Sequence, residues 1–271
     1  MKSMTGNYIT CDLLGPGDGQ FNFGLGNQLF QVAALISHAH DNNLIATFPQ
    51  IKLPQYGSYD SNIMSRVNSE SINTADFKKV EVPFWFHPLL KEANIIYRGY
   101  MQSEKYFVHN RQLILDIFAP TQQIKDYINN KYGKLLESNL LSLHVRRGDY
   151  LHLPNHHPVV PLDYFDAATK YVTSRTDIDK YLIFSDDIKW CKETFGDSEE
   201  IIYIQKEADY IDLYLMSMCK HNIIANSTFS WWGAWFNQNA DKIVIAPATW
   251  FGPARSNLNT GDLLPETWIK L

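Results

Sequence analysis

Between residues 140 and 246 the chain alternates five short apolar runs with four amphipathic stretches, and that alternation leaves few folds open. The runs at 140–145, 181–185, 201–204, 222–225 and 242–246 are nearly continuous in apolar residues, as expected of strands buried on both faces. The stretches between them read as helices: 162–174 follows Pro161, 188–195 stops at Gly196, and 209–219 and 229–238 complete the set. Strand–helix alternation of this kind predicts a parallel sheet covered by helices on both sides.

The first half repeats the pattern more faintly. Residues 8–14 and 94–97 read as strands, and 28–40 reads as a helix with Leu29, Val32, Ala33 and Ile36 on one face. A second helix is expected over 103–118, capped by Ser103 and stopped before Pro120. The polar stretch 120–138 reads as a linker, which divides the chain into lobes 1–135 and 136–271. The expected architecture is α/β, with two lobes facing each other across a cleft. Ligands in such folds bind beyond the C-terminal ends of the strands, so the loops leaving the strands are where chemistry is sought.

Composition supports a core of this size and excludes some functions. Of 271 residues, 45% are hydrophobic and 20% charged, the balance of a globular chain. A net charge of −5 lacks the basic surplus of nucleic-acid binding, so an anionic ligand must be held by local arginines or lysines. Cys11, Cys191 and Cys219 are odd in number and form no Cys-x-x-Cys pair, which argues against a disulfide framework or a zinc site and fits a reducing compartment. No apolar run approaches the roughly 20 residues needed to span a bilayer, and the N-terminus does not lead into a signal peptide. The expected location is the cytoplasm, either free or at the inner face of the membrane.

Four segments concentrate chemistry. Gly24-Leu25-Gly26-Asn27-Gln28-Leu29-Phe30 opens a helix where backbone can approach a ligand; with Leu29 in place of a third glycine it is not a dinucleotide fingerprint, and a tight turn is the plain alternative. His144-Val145-Arg146-Arg147-Gly148-Asp149-Tyr150 leaves the strand 140–145; two arginines there can neutralise a diphosphate, while Asp149 can orient one guanidinium or act on a substrate hydroxyl. Phe184-Ser185-Asp186-Asp187 also leaves a strand: Asp187 is expected to cap the next helix, and for Asp186 a cap and a ligand contact stand equal. Asn226-Ser227-Thr228-Phe229-Ser230-Trp231-Trp232-Gly233-Ala234-Trp235 opens a helix whose hydroxyls and free N–H groups suit a phosphate, with the tryptophans mostly core. Its Asn226-Ser227-Thr228 triplet matches a glycosylation sequon but falls at a junction expected to be buried.

Together, and in this order, these segments resemble glycosyltransferase family 11, the α-1,2-fucosyltransferases, in their soluble bacterial form. The resemblance runs over roughly residues 20–250. It implies a GT-B fold of two Rossmann-like lobes, GDP-β-L-fucose as donor, inversion at the anomeric carbon without a metal or other cofactor, and a terminal galactose of a glycan as acceptor at its 2-hydroxyl. It places Arg146 on the donor's β-phosphate and His144 against the donor; Asp149, from its place in the same segment, is the third candidate catalytic residue. It assigns Ser227 and Thr228 to the diphosphate, Asp212 to guanine and Asp186 to the neighbourhood of the base; Arg147 and Phe229 are counted with them as expected nucleotide-binding residues. Asn27, beside Gly26, maps to the ligand face of the N-terminal lobe. Whether Asp149 serves as general base or only orients Arg146 stays open, since pairing with an arginine weakens a carboxylate as a base. Acceptor contacts are expected from variable loops at 48–69 and 151–160, the latter an exposed loop carrying His152, His156 and His157. The rival readings are a GT-B transferase of another nucleotide sugar and a non-catalytic, lectin-like module.

Overall fold

The computed structural model describes residues 6–12, 24–52 and 59–271. They form two compact units: Met1–Thr121 with Asn259–Pro265, and Gln122–Leu258 with Glu266–Leu271.

In unit 1, strands β1 (Tyr8–Cys11), β2 (Ile45–Ala46), β3 (Lys78–Glu81) and β4 (Ile95–Arg98) form a parallel sheet in the order β2-β1-β4-β3. The last two residues of the expected first strand lie outside the described residues. Helix α1 (Leu25–Asn42) starts one turn earlier than its apolar periodicity suggested and ends at Asn43, whose left-handed backbone (φ 53°) closes it. The helix expected over 103–118 is broken. Two 3-10 turns, Glu104–Tyr106 and Val108–Asn110, precede α2 (Arg111–Ile117), and Phe107 between them has a backbone (φ −145°) that an α-helix does not accept. Ser103 does cap, its Oγ accepting from the Lys105 N–H.

The stretch read as a linker holds a helix, α3 (Gln122–Tyr132), which falls before the expected division at 135 and groups with unit 2. Only Ile124 and Ile128 are buried on it, one i,i+4 pair in a polar sequence, so composition concealed its amphipathic face. Lys131, Tyr127 and Tyr132 all donate to the Glu207 carboxylate and tie the helix down.

Unit 2 contains β5 (Leu140–Val145), α4 (Leu162–Thr173), β6 (Lys180–Ser185), α5 (Ile188–Phe195), β7 (Ile201–Tyr203), α6 (Asp209–Met218), β8 (His221–Ile223), α7 (Thr228–Phe236), β9 (Val244–Ala246) and β10 (Ile269–Lys270). Its sheet is wholly parallel in the order β10-β9-β8-β5-β6-β7. The chain therefore winds outward from β5 in one direction and, after β7, returns to wind outward from β8 in the other. The adjacent strands β5 and β8 form the switch point of a doubly wound sheet, where a crevice opens beyond their C-terminal ends. β5 is buried along its whole length and anchors a core of Leu141, Leu143, Val172, Ile183 and Ile223. On α7, Trp231, Trp232 and Trp235 are fully or almost fully buried, as read from the sequence. Gly233 sets how closely α7 approaches α6: a Cβ there would stand 2.8 Å from the Met216 Cβ. Among the described residues no helix is long and apolar enough to cross a membrane.

Candidate active site

β5 delivers His144 as its penultimate residue, 5% exposed, with its ring 5.6 Å from that of Phe229 at the start of α7. Its Nδ1 is buried without a partner. Burial, and after it the Arg146 charge, push its pKa down to about 3. The imidazole is therefore neutral near pH 7 and too weakly basic to carry a proton; it can offer a ligand a hydrogen bond and a ring face.

The next residues lie beside the exit of β6, because Val145 pairs with Ser185. Arg146 donates from Nη2 to Asp149 Oδ1 at 2.6 Å, and its Nη1 lies 3.1 Å from Asp186 Oδ2. The guanidinium is thereby held between two carboxylates, 5.4 Å from the centre of the Tyr150 ring, with a third of its side chain exposed. Asp186 also accepts from the Arg147 N–H at 2.9 Å. Gly148 makes room for it, since a Cβ there would sit 2.5 Å from Asp186 Oδ2. A side chain at 148 would displace the Asp186 carboxylate that the Arg147 N–H and Arg146 hold there.

Arg147 faces different partners. Its Nε donates to Asp187 Oδ2 at 3.1 Å and its guanidinium stacks 3.9 Å from the centre of the Trp190 ring. Asp187 caps α5 as the sequence predicted, accepting from the Trp190 N–H, and that bond foremost holds its pKa down. The two arginines expected to share a diphosphate are thus divided: Arg147 is engaged in the β6–α5 junction, and Arg146 presents its guanidinium at the strand exits.

The β8 side is joined to this cluster by Tyr150, whose hydroxyl donates to the Asn226 carbonyl oxygen at 3.0 Å and is pushed up to about 12 by burial. Ser227 is the N-cap of α7, its Oγ accepting from the Phe229 N–H, and Thr228 begins the helix. Asn226 is 1% exposed, with Nδ2 donating to the Pro158 and Trp250 carbonyls, so the sequon is closed in the folded protein as expected. His144, Arg146, Asp149 and Asp186 from one side and Ser227, Thr228 and Phe229 from the other therefore border the switch point.

Asp212 lies in the first turn of α6, the helix that packs on α7. Its Oδ1 is buried without a partner, and its carboxyl is pushed up to about 7, first by burial and then by the charges of Glu207 and Asp209. Gly26 and Asn27 belong to the first turn of α1 in unit 1. Asn27 Oδ1 accepts from Gln102 Nε2 at 2.8 Å, a partner supplied by the segment after β4 that the sequence reading did not single out. Tyr150 as the tie between two motifs, Trp190 under Arg147 and Glu207 beside Asp212 were missed likewise. Aromatic and acidic residues are too common for type alone to mark them, and only the strand order brings them together.

Of the loop expected to be exposed at 151–160, His152 and His156 are exposed, but His157 is not: its ring stacks on Tyr150 at 4.8 Å and meets Phe251 edge-on. Burial foremost lowers its pKa to about 4. Among the described residues no three His, Cys, Asp or Glu side chains are grouped to hold a metal ion. The chain's Asp-x-Asp triplet, Asp177-Ile178-Asp179, precedes β6 at the opposite end of the strands, where Asp179 accepts from the Asn139 N–H.

A family model described as glycosyl transferase family 11 matches residues 18–271. The O-antigen biosynthesis glycosyltransferase WbnK of Escherichia coli is 38% identical over 183 residues, 64% of this chain and 59% of that protein. An α-1,2-colitosyltransferase of the same organism is 33% identical over 193 residues, 66% of this chain and 63% of that protein. The matched region thus spans about six tenths of the length of these two relatives. Among solved structures, the fucosyltransferase NodZ from Bradyrhizobium aligns with a TM-score of 0.56 at 15% identity, over 84% of this chain and 91% of that one. That likeness shows the fold, an α/β architecture with parallel sheets of the GT-B type.

Proposed function

The chain belongs to glycosyl transferase family 11, and from that premise we propose that it transfers L-fucose from GDP-β-L-fucose to the 2-hydroxyl of a terminal galactose, with inversion and without a metal. The observation that carries this reading is Arg146, held between Asp149 and Asp186 beside the start of α7 at the sheet's switch point.

In the proposed reaction the bond between fucose C1 and the β-phosphate oxygen breaks, and negative charge collects on that phosphate. Arg146, fixed in advance by its two carboxylates, and the N–H groups that open α7 receive the charge; a preorganised donor of this kind is typically worth about 10²–10³ in rate. Ser227 and Thr228 contact the diphosphate, and Asp212 accepts from guanine. His144 and Phe229 wall the donor as neutral surfaces. The galactose 2-hydroxyl attacks C1 from the face opposite GDP, which inverts the centre, and its proton passes to solvent water as the new bond forms. Asp149 is assigned to orienting Arg146, because its Oδ1 already accepts from the guanidinium at 2.6 Å. Asn27, positioned by Gln102, is assigned to the ligand face of unit 1. The relative named for O-antigen biosynthesis supports a glycan of that class as the acceptor.

The colitosyltransferase relative supports a second donor, GDP-colitose, whose sugar is L-fucose lacking the 3-hydroxyl. Incubation with GDP-fucose, GDP-colitose, GDP-mannose and UDP-galactose against a panel of β-galactosides, followed by linkage analysis, decides between them. An α-1,2-fucosyl product is expected. Preference for colitose would move the assignment to the second donor, and transfer from GDP-mannose or UDP-galactose alone would overturn both.

A further inference from the structure

The segment leaving β3 carries Phe84, Trp85 and Phe86 in succession. The outer two are clamped. Phe84 packs at 6.4 Å on Tyr100, and Phe86 at 4.8 Å on the buried Tyr106. The backbone is fixed as well: the Phe86 N–H donates to Asp262 Oδ2 at 2.7 Å and the His87 N–H to the Tyr106 hydroxyl at 2.9 Å. Between these anchors Trp85 is 43% exposed and makes no hydrogen bond or ring contact among the described residues. The contacts on either side hold the backbone of Trp85 in place while its ring stays partly at the surface.

The mount stands on the C-terminal edge of the unit 1 sheet. The Val82 N–H donates to the Arg98 carbonyl, and a Cβ on Gly99 would meet the Val82 oxygen at 2.5 Å, so the exits of β3 and β4 run side by side. Three residues further on, Gln102 holds Asn27 at the start of α1. The exits of β3 and β4 and the start of α1 are thereby linked along the edge where parallel sheets present ligands.

We propose that Trp85 is a stacking platform for a sugar ring of the acceptor glycan. One face of a galactoside is a patch of C–H groups, which suits an indole face, while its hydroxyls remain free for polar neighbours. The proposal rests on the glycosyltransferase reading above, and its test separates the two. Saturation-transfer NMR and titration calorimetry on GDP-loaded protein read galactoside binding without requiring turnover. Trp85→Ala is expected to weaken the galactoside about tenfold. Trp85→Phe should restore most of the loss, while the GDP-induced rise in Tm and the donor KM stay at wild-type values. Galactoside affinity within twofold of wild type in Trp85→Ala overturns the proposal, as does wild-type protein that binds no galactoside. An unchanged affinity accompanied by loss of a dimer in sedimentation would identify Trp85 as a subunit contact instead. Failure of the transferase reading shows separately, as wild-type protein that neither gains Tm from GDP nor transfers a sugar.

Discussion

Arg146 and Arg147 are adjacent in sequence, yet one guanidinium lies between Asp149 and Asp186 and the other on the Trp190 ring. Alternation along the extended chain sends neighbouring side chains to different surroundings. Gly148 follows from the same arrangement, and Gly148→Ala is expected to push Asp186 off Arg146. Overpacking of this kind costs about 1–3 kcal/mol. Turnover should fall about tenfold through the misplaced guanidinium, each 1.4 kcal/mol of lost positioning being a factor of ten. Denaturant melts and steady-state kinetics on the same preparation check both parts. Asp212 supplies a pH dependence. Its folded pKa, about 7, lies above the ordinary 3.8, so the protonated carboxyl favours the fold. That stability is complete below about pH 4 and is lost as pH rises through 7. Asp212→Asn should therefore gain in Tm over wild type between pH 4 and pH 8 while losing affinity for GDP. A Tm difference independent of pH would show that Asp212 is not held in this environment. His144 runs the other way: with a folded value near 3, its contribution is present above pH 6.5 and is lost as pH falls toward 3.

At the scale of elements, the contact of α6 with α7 matters because the two helices bring Asp212 and the Ser227 cap to the same unit's strand exits. Gly233→Ala would drive a Cβ into Met216 and is expected to destabilise unit 2 by about 1–3 kcal/mol, with Met216→Ala recovering part of it in the double variant. Additive losses in chemical denaturation would contradict a direct clash. Most of unit 2 was legible from sequence, because β5, β8 and β9 are buried along their whole length and, with β6 and β7, read as nearly continuous apolar runs. The strands Lys78–Glu81 and Ile45–Ala46 were not: the first is mostly exposed and the second is only two residues long. Helix α3 hid behind a single apolar pair, and the helix at 103–118 was overread because a cap at Ser103 and a stop at Pro120 do not reveal the non-helical backbone at Phe107 between them. The site divides in the same way. Arg146, Asp187 and Ser227 stand at strand exits or helix starts and could be found there. The Arg146–Asp149 contact is local, three residues apart, and was legible; the contact of Arg146 with Asp186 and that of Tyr150 with Asn226 depend on the order β8-β5-β6, which no local pattern encodes.

For the whole molecule, a net charge of −5 supplies no general positive field, so the phosphates of the proposed donor would depend on local groups. With Arg146 receiving the leaving-group charge, transfer is expected to proceed unchanged in EDTA; activity lost on chelation and regained with Mn²⁺ would assign that charge to a metal instead. The central claim is that Arg146, and not Arg147, stabilises the departing GDP. The most direct measurement is single-turnover fucosyl transfer by Arg146→Ala and Arg147→Ala, with Tm recorded for each. The expected result is a loss of about 10²–10³ in rate for Arg146→Ala with a near-native Tm. Arg147→Ala should instead lower Tm and largely keep the rate. Near-normal turnover by a well-folded Arg146→Ala protein would contradict the account.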